Sequence, residues 1–197
     1  MRDFYLAALV GFSVGFLILL PLVNIGFELT PLSVTAIIAS FFGFSLLAFG
    51  IFRWLGIFWP IFSQLGKFAA IGALNSFLDL AIVNFFILLT GVTAGWSFSF
   101  FKAAGFLLAA TNSYFWNKFW TFQSRSPVNW REYRLFGIFT VIGALINVAT
   151  ASLIVNFIGT PAGVSSELWA NIGALAATAI SLVFNFVLYK RVVFRGK

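Results

Sequence analysis

The chain has 197 residues, of which 61% are hydrophobic and 9% charged, with a net charge of +7 and a mean hydropathy of +1.04. A soluble domain carries about 25% charged residues, so this chain cannot cover a water-facing surface and its solvent must be lipid. Cysteine and histidine are absent, which excludes disulfide and thiolate chemistry and removes the usual proton shuttle and commonest metal ligand. The acids are Asp3, Glu28, Asp79, Glu132 and Glu167, too few to equip a metal or acid–base enzyme; neither catalysis nor a cofactor is expected.

A spanning helix needs about 20 mostly apolar residues, and six runs qualify in chain order. The first, residues 4–27, has an apolar core too long for a cleaved signal and no small-x-small site after Leu20. Its Gly11 and Gly15 form a GxxxG suited to close helix contact. Glu28-Leu29-Thr30-Pro31 breaks the chain before the second run, 32–52. Residues 53–66 (RWLGIFWPIFSQLG) read as an interfacial segment broken at Pro60. The third run, 68–90, carries Asn75 and Asp79 one turn apart, with Gly72 beside them. After Thr90-Gly91-Val92-Thr93-Ala94-Gly95, the fourth run, 97–118, places Lys102 and Ser113 on one face, continued by Asn117. The fifth, 135–158, holds Asn147. Past Gly159-Thr160-Pro161-Ala162-Gly163, the sixth, 168–190, repeats Asn171, Thr178 and Asn185 every seven residues.

Basic residues set the expected orientation. Arg53 and Lys67 flank the second link, and Lys118, Arg125, Arg131 and Arg134 fill the fourth. Arg2 opens the chain, and Lys190, Arg191, Arg195 and Lys197 close it. The other links hold no Lys or Arg, and Lys102 alone departs from the pattern. Both termini and the even-numbered links are therefore expected in the cytoplasm. Trp54, Trp59, Trp116, Trp120 and Trp130 then fall at the inner interface, with Trp96 and Trp169 at the outer one. The positive charge is a topology signal with some attraction for anionic headgroups, and nucleic acid is not an expected partner.

FAAIGAL at 68–74 is echoed by FTVIGAL at 139–145, and NSYFWNKFWTF at 112–122 by FNFVLYKRVVF at 184–194. Each copy holds two spans, so the copies run the same way through the membrane, as in transporters built from parallel repeats. The expected fold is an all-α integral membrane protein of six transmembrane helices, the last four forming a parallel two-helix tandem repeat.

The run FAAIGALNSFLDL at 68–80, followed by NSYFWNKFWTF at 112–122, resembles the GtrA-like family. The family pattern is F-x-x-x-G-x-x-N-[TS]-x-x-D-x, then N-[FY]-x-x-N-[RK]-x-W-x-F, inside four spans. The resemblance covers residues 62–197, with repeats at about 67–122 and 138–194. Residues 1–61 add a two-helix hairpin and the interfacial segment. The family implies translocation of a polyprenyl-phosphate-linked sugar across the cytoplasmic membrane, the cell's inner membrane, for surface polysaccharide. A membrane anchor or partner subunit for a separate glycosyltransferase is the alternative, and a homo-oligomer is a further expected partner state.

Moving a sugar phosphate through roughly 30 Å of hydrocarbon requires groups that replace its hydrogen bonds, because an unpaired polar group there costs several kcal/mol. The expected substrate-binding set is Asn75, Asp79, Lys102, Ser113, Asn117, Lys118, Asn147, Asn185, Lys190 and Arg191. Each Asn, Ser or Thr has a plain alternative as a helix-to-helix bond, and Lys118 as an interfacial anchor. The resemblance inclines Asn117 and Lys118 towards the phosphate. Asp79 and Lys102 should lie about six residues, roughly 9 Å, apart in depth, a gap that a lysine stem largely covers. Their counterparts in the second copy, Thr150 and Ala174, carry no charge. Gly66-Lys67 lacks the rest of a phosphate-cradling loop, so no ATP-driven step is expected.

Overall fold

The structure, a computed structural model, describes residues 1–163 and 166–194, and the side chains of 166–168, 170 and 171 lie outside that description. Asn171 of the sixth expected span and the terminal Arg195 and Lys197 therefore fall outside the described side chains. The elements are α1 (Arg2–Leu17), α2 (Leu19–Asn24), α3 (Pro31–Phe58), α4 (Pro60–Thr90), α5 (Gly95–Trp116), α6 (Trp130–Ser152) and α7 (Ser166–Leu188). Three π-helical turns follow α5, α6 and α7, at Asn117–Thr121, Leu153–Ile158 and Tyr189–Val193. No strand occurs among the described residues.

Local sequence explains the breaks. Pro21 has no N–H to give the preceding turn, and the first helix is interrupted at Ile18, between α1 and α2. Thr30 caps α3 through a reciprocal box with Ser33, with Pro31 at the first helical position. Trp59 is extended at φ −136° because the residue before a proline avoids the helical region, and Pro60 opens α4. Residues 53–66 are accordingly the last turns of α3 and the first turns of α4, not an element of their own. Gly91, at φ 69°, ends α4 in the left-handed conformation that glycine adopts most cheaply.

Five stretches are long and apolar enough to cross a membrane: Arg2–Asn24, Pro31–Phe58, Pro60–Thr90, Trp130–Ile158 and Ile172–Val193. Six are expected from the sequence. The missing one is α5, whose 22 residues reach about 33 Å but whose Ser97, Ser99, Lys102, Thr111, Asn112 and Ser113 reduce its apolar character. Large side chains such as Phe44, Phe157 and Leu175 are about 70–80% exposed, which suits hydrocarbon and would aggregate in water. The chain is a multi-pass helical membrane protein.

It folds as two compact units, Met1–Gln123 and Ser124–Lys197. In the first, α1 and α3 meet at the GxxxG. A Cβ on Gly11 would sit 2.6 Å from the Phe41 carbonyl oxygen, and one on Gly15 2.8 Å from Ile38 Cα. Ser45 Oγ donates to the Ala7 carbonyl at 2.7 Å. Ala7, Val10 and Val14 then pack with Phe49, Ile71, Leu74 and Trp120 as the unit's core. The added hairpin thus lies on α4, and Asn24 Nδ2 ties α2 to α4 through Asn84 Oδ1 at 2.7 Å.

The second unit is an α6–α7 hairpin. Gly143 faces the Asn185 amide with no room for a Cβ, and a Cβ on Gly173 would meet Val155 at 2.8 Å. At the other end Phe136 and Tyr189 rings stand 4.4 Å apart, and the Tyr189 hydroxyl shares a 2.6 Å hydrogen bond with Thr140 Oγ1. The last helix of each unit ends alike. Phe122 N donates to Asn117 O at 2.9 Å and Phe194 N to Tyr189 O at 2.8 Å, five-residue steps at aligned positions of the two sequence copies.

Candidate functional site

The first unit gathers polar groups along the α4–α5 seam. Lys102 Nζ pairs with Asp79 Oδ2, so the lysine stem does cover the expected gap in depth. Gly105, one turn on, makes the approach feasible: a Cβ there would lie 2.6 Å from Asp79 Oδ1 and 2.9 Å from its carbonyl oxygen. Below this pair Asn112 Nδ2 donates to Asn75 Oδ1 at 2.8 Å. Just past α5, Asn117 Nδ2 donates back to Ser113 O at 2.9 Å and to Ser113 Oγ at 3.2 Å. From Lys102 to Asn117 the row runs fifteen residues, about 22 Å of a roughly 30 Å hydrocarbon core.

The row has hydrogen-bonding capacity to spare. Asn75 Nδ2, Asp79 Oδ1, Asn117 Oδ1 and Thr121 Oγ1 are buried with no partner among the described residues. Buried polar atoms are nearly always paired, and each orphan in low dielectric costs about 1–3 kcal/mol. The Lys102 side chain is 55% exposed at this depth, against 21% for Asp79. The lysine side chain thus lies on the open side of the seam while its ammonium pairs with Asp79.

Lys118 departs from its reading as a rim residue. It is wholly buried within the π-helical turn, with Nζ 5.9 Å over the Tyr114 ring. In the second unit Lys190 lies 5.7 Å over Phe186 by the same geometry, but Lys190 and Arg191 are exposed. Asn147 Nδ2 reaches Ser181 Oγ at 3.3 Å and Thr178 Oγ1 at 3.4 Å, long contacts that hold α6 to α7. Asn185 is wedged against Gly143, and its Oδ1 is buried without a partner among the described residues. Of the sequence-derived set, Asn75, Asp79, Lys102, Ser113 and Asn117 form one row, Lys118 is buried beside its end, and Asn147, Asn185, Lys190 and Arg191 belong to the second unit.

Two features are not singled out by sequence reasoning. Asn112 is the partner of Asn75, and it is visible in the sequence as the first residue of NSYFWNKFWTF. The second is a cluster at the start of α1. Asp3 pairs with Lys67 Nζ at 2.6 Å and accepts from Trp120 Nε1 at 3.1 Å, with Lys67 Nζ 5.9 Å over the Trp120 ring. No sequence spacing signals a contact across 117 residues.

These observations define a helical membrane protein with a polar seam at membrane depth. Residues 67–194 match the model of the GtrA/DPMS transmembrane domain, and the chain belongs to this family. No curated protein and no solved structure matches it.

Proposed function

We propose that the chain translocates a polyprenyl-phosphate-linked sugar across the cytoplasmic membrane, without catalysis, for later transfer to surface polysaccharide. The observation that carries this reading is the α4–α5 seam: an ion pair and a ladder of amides with unused hydrogen-bonding atoms, in helices whose other faces are apolar. A sugar phosphate entering hydrocarbon loses its water. Lys102 offers a cation to the phosphate, and Asn75, Asn112 and Asn117 offer donors and acceptors to the hydroxyls. The polyprenyl tail stays in lipid.

In the same reading both termini and the even-numbered links lie in the cytoplasm, and the two sequence copies cross the membrane in parallel. The one-sided Lys and Arg distribution supports this. The matched π-helical turns and matched lysine-over-aromatic contacts support a duplication.

The test is reconstitution of the pure protein in phosphatidylcholine vesicles with a labelled polyprenyl-phosphate sugar. An impermeant oxidant reports the share of label on the outer leaflet. The expected result is protein-dependent loss of protection, absent from vesicles holding Asp79→Asn. An anchor for a glycosyltransferase would leave the label on its original leaflet, and that outcome would overturn the reading.

A further inference from the structure

Two adjoining cavities in the first unit lie away from the polar seam. The larger, about 310 Å³, lies between α1, α3 and α4, with Gly11, Ala69, Ala70 and Ala73 opposite Phe44 and Phe52 on its walls. Its lining is almost wholly apolar; Ser45 is its one hydroxyl. Along α4 it runs from Gly66 to Phe77, eleven residues or about 16 Å. The second cavity, about 300 Å³, is lined by Asp3, Arg53, Ser63 and Lys67 among others. Phe49 is a wall of both cavities, and Gly66 of the first precedes Lys67 of the second. A polar mouth therefore opens beside an apolar slot.

The mouth carries surplus positive charge. Asp3 is paired with Lys67, whereas Arg53 is exposed and rests its guanidinium 5.5 Å over the Phe4 ring. No carboxylate of the described residues pairs with Arg53. A cation at the mouth of a long apolar slot is complementary to a molecule with an anionic head and a hydrocarbon tail. The slot's residues on α4, such as Ala70, Ala73 and Phe77, stand on the side of that helix opposite Asn75 and Asp79. A lipid whose headgroup occupied the α4–α5 seam would have to wrap around α4 to put its tail here.

We propose that this composite site holds a resident anionic phospholipid, its phosphate at Arg53 and one acyl chain in the slot between α1, α3 and α4. The site stands independently of the translocation reading. It gives the hairpin of residues 1–61 a role, because α1 and α3 supply two of the slot's three walls and the exposed arginine.

The test uses the full chain in vesicles of equal parts phosphatidylglycerol and phosphatidylcholine. After extraction into mild detergent, retained lipid is counted by native mass spectrometry. Phosphatidylglycerol should be retained over phosphatidylcholine, and Arg53→Gln should reduce that preference about fivefold, as expected for losing one cation near the headgroups. Ala73→Phe, at an exposed residue of the slot, should abolish retention with helicity and elution volume unchanged. Equal retention of the two phospholipids by the native chain would overturn the proposal, as would full retention by a folded Ala73→Phe variant. Displacement of phosphatidylglycerol by equimolar polyprenyl phosphate would overturn it in favour of a cargo site. Should Ala73→Phe fail to fold, Arg53→Gln decides the matter alone, because an unchanged preference refutes the phosphate contact.

Discussion

Removing either member of the Asp79–Lys102 pair should cost unequal amounts, because the two charges lie at different depths. Asp79 is eleven residues before the end of α4 at Thr90, about 16 Å from that end, and only 21% of its side chain is exposed. Lys102 is seven residues into α5, about 10 Å from the same end, and 55% of its side chain is exposed. An orphaned Lys102 can stretch along the flank towards the interface, whereas Asp79, seated on Gly105, has no such stem. Lys102→Gln should therefore cost close to the midplane value for a charge, roughly 2.5–3.5 kcal/mol, and Asp79→Asn clearly less. The double variant carries no membrane-depth charge and should regain most of the loss. Unfolding in mixed detergent micelles, followed by fluorescence of the seven tryptophans, measures all three variants, and the vesicle assay measures transport in parallel. All three should translocate poorly. Equal destabilisation by the two single changes would refute the depth argument. Native transport by the double variant would show that charge balance alone mattered, and the pair would be structural.

Gly105→Val should cost about 1–3 kcal/mol by overpacking and break the ion pair, because its Cβ would fall 2.6 Å from Asp79 Oδ1; Gly72→Ala, with nothing within 4 Å, should be neutral in the same unfolding assay. Single cysteines at Glu28, Thr93 and Ala162 should react with an impermeant thiol reagent on intact cells, and those at Trp59 and Pro127 only after permeabilisation. Outside labelling at Pro127 would reverse the proposed orientation. Tyr189→Phe, which removes the 2.6 Å bond to Thr140, should cost about 0.6 kcal/mol, the average for such bonds between membrane helices, measured by the same unfolding.

The helices are legible in the sequence because lipid imposes long apolar runs and prolines and glycines punctuate them; Pro31, Pro60 and Gly91 stand at the boundaries that they predict. By sequence the run at α5 counts as a span, although the polar residues of the seam leave it less apolar than the five stretches that meet the length and apolarity needed to cross a membrane. The GxxxG at Gly11 and Gly15 points to a close helix contact, though not to α3 as its partner. The Asp79–Lys102 pair can be argued because depth follows from counting residues along adjacent antiparallel helices. Asp3 with Lys67 and Trp120 cannot, since the contact depends on how α1 packs between α3 and α4. Lys118 escapes sequence reasoning for a different reason. Its place at the end of the fourth run reads as an interfacial anchor, whereas the structure buries it completely, and the π-helical turn alone does not account for that, since Lys190 in the matching turn is exposed.

Under the proposed duplication, the matched positions of the two halves separate what the fold needs from what one half adds. Both copies end in a π-helical turn, and both set a lysine over an aromatic ring four residues earlier. Features that recur at aligned positions are explained by the shared local fold. The ion pair does not recur. Thr150 and Ala174 stand where Asp79 and Lys102 would be matched, and Ala177 is buried completely at the place matching Gly105. Helix packing in the second unit is thus achieved with a methyl group and no charge. The first unit keeps two charges at membrane depth, a glycine that seats one of them and an amide ladder below, although an apolar seam would pack at lower cost. So costly an arrangement in one half alone is what the proposed reading of a site for a single polar cargo calls for, and what a symmetric scaffold would not need.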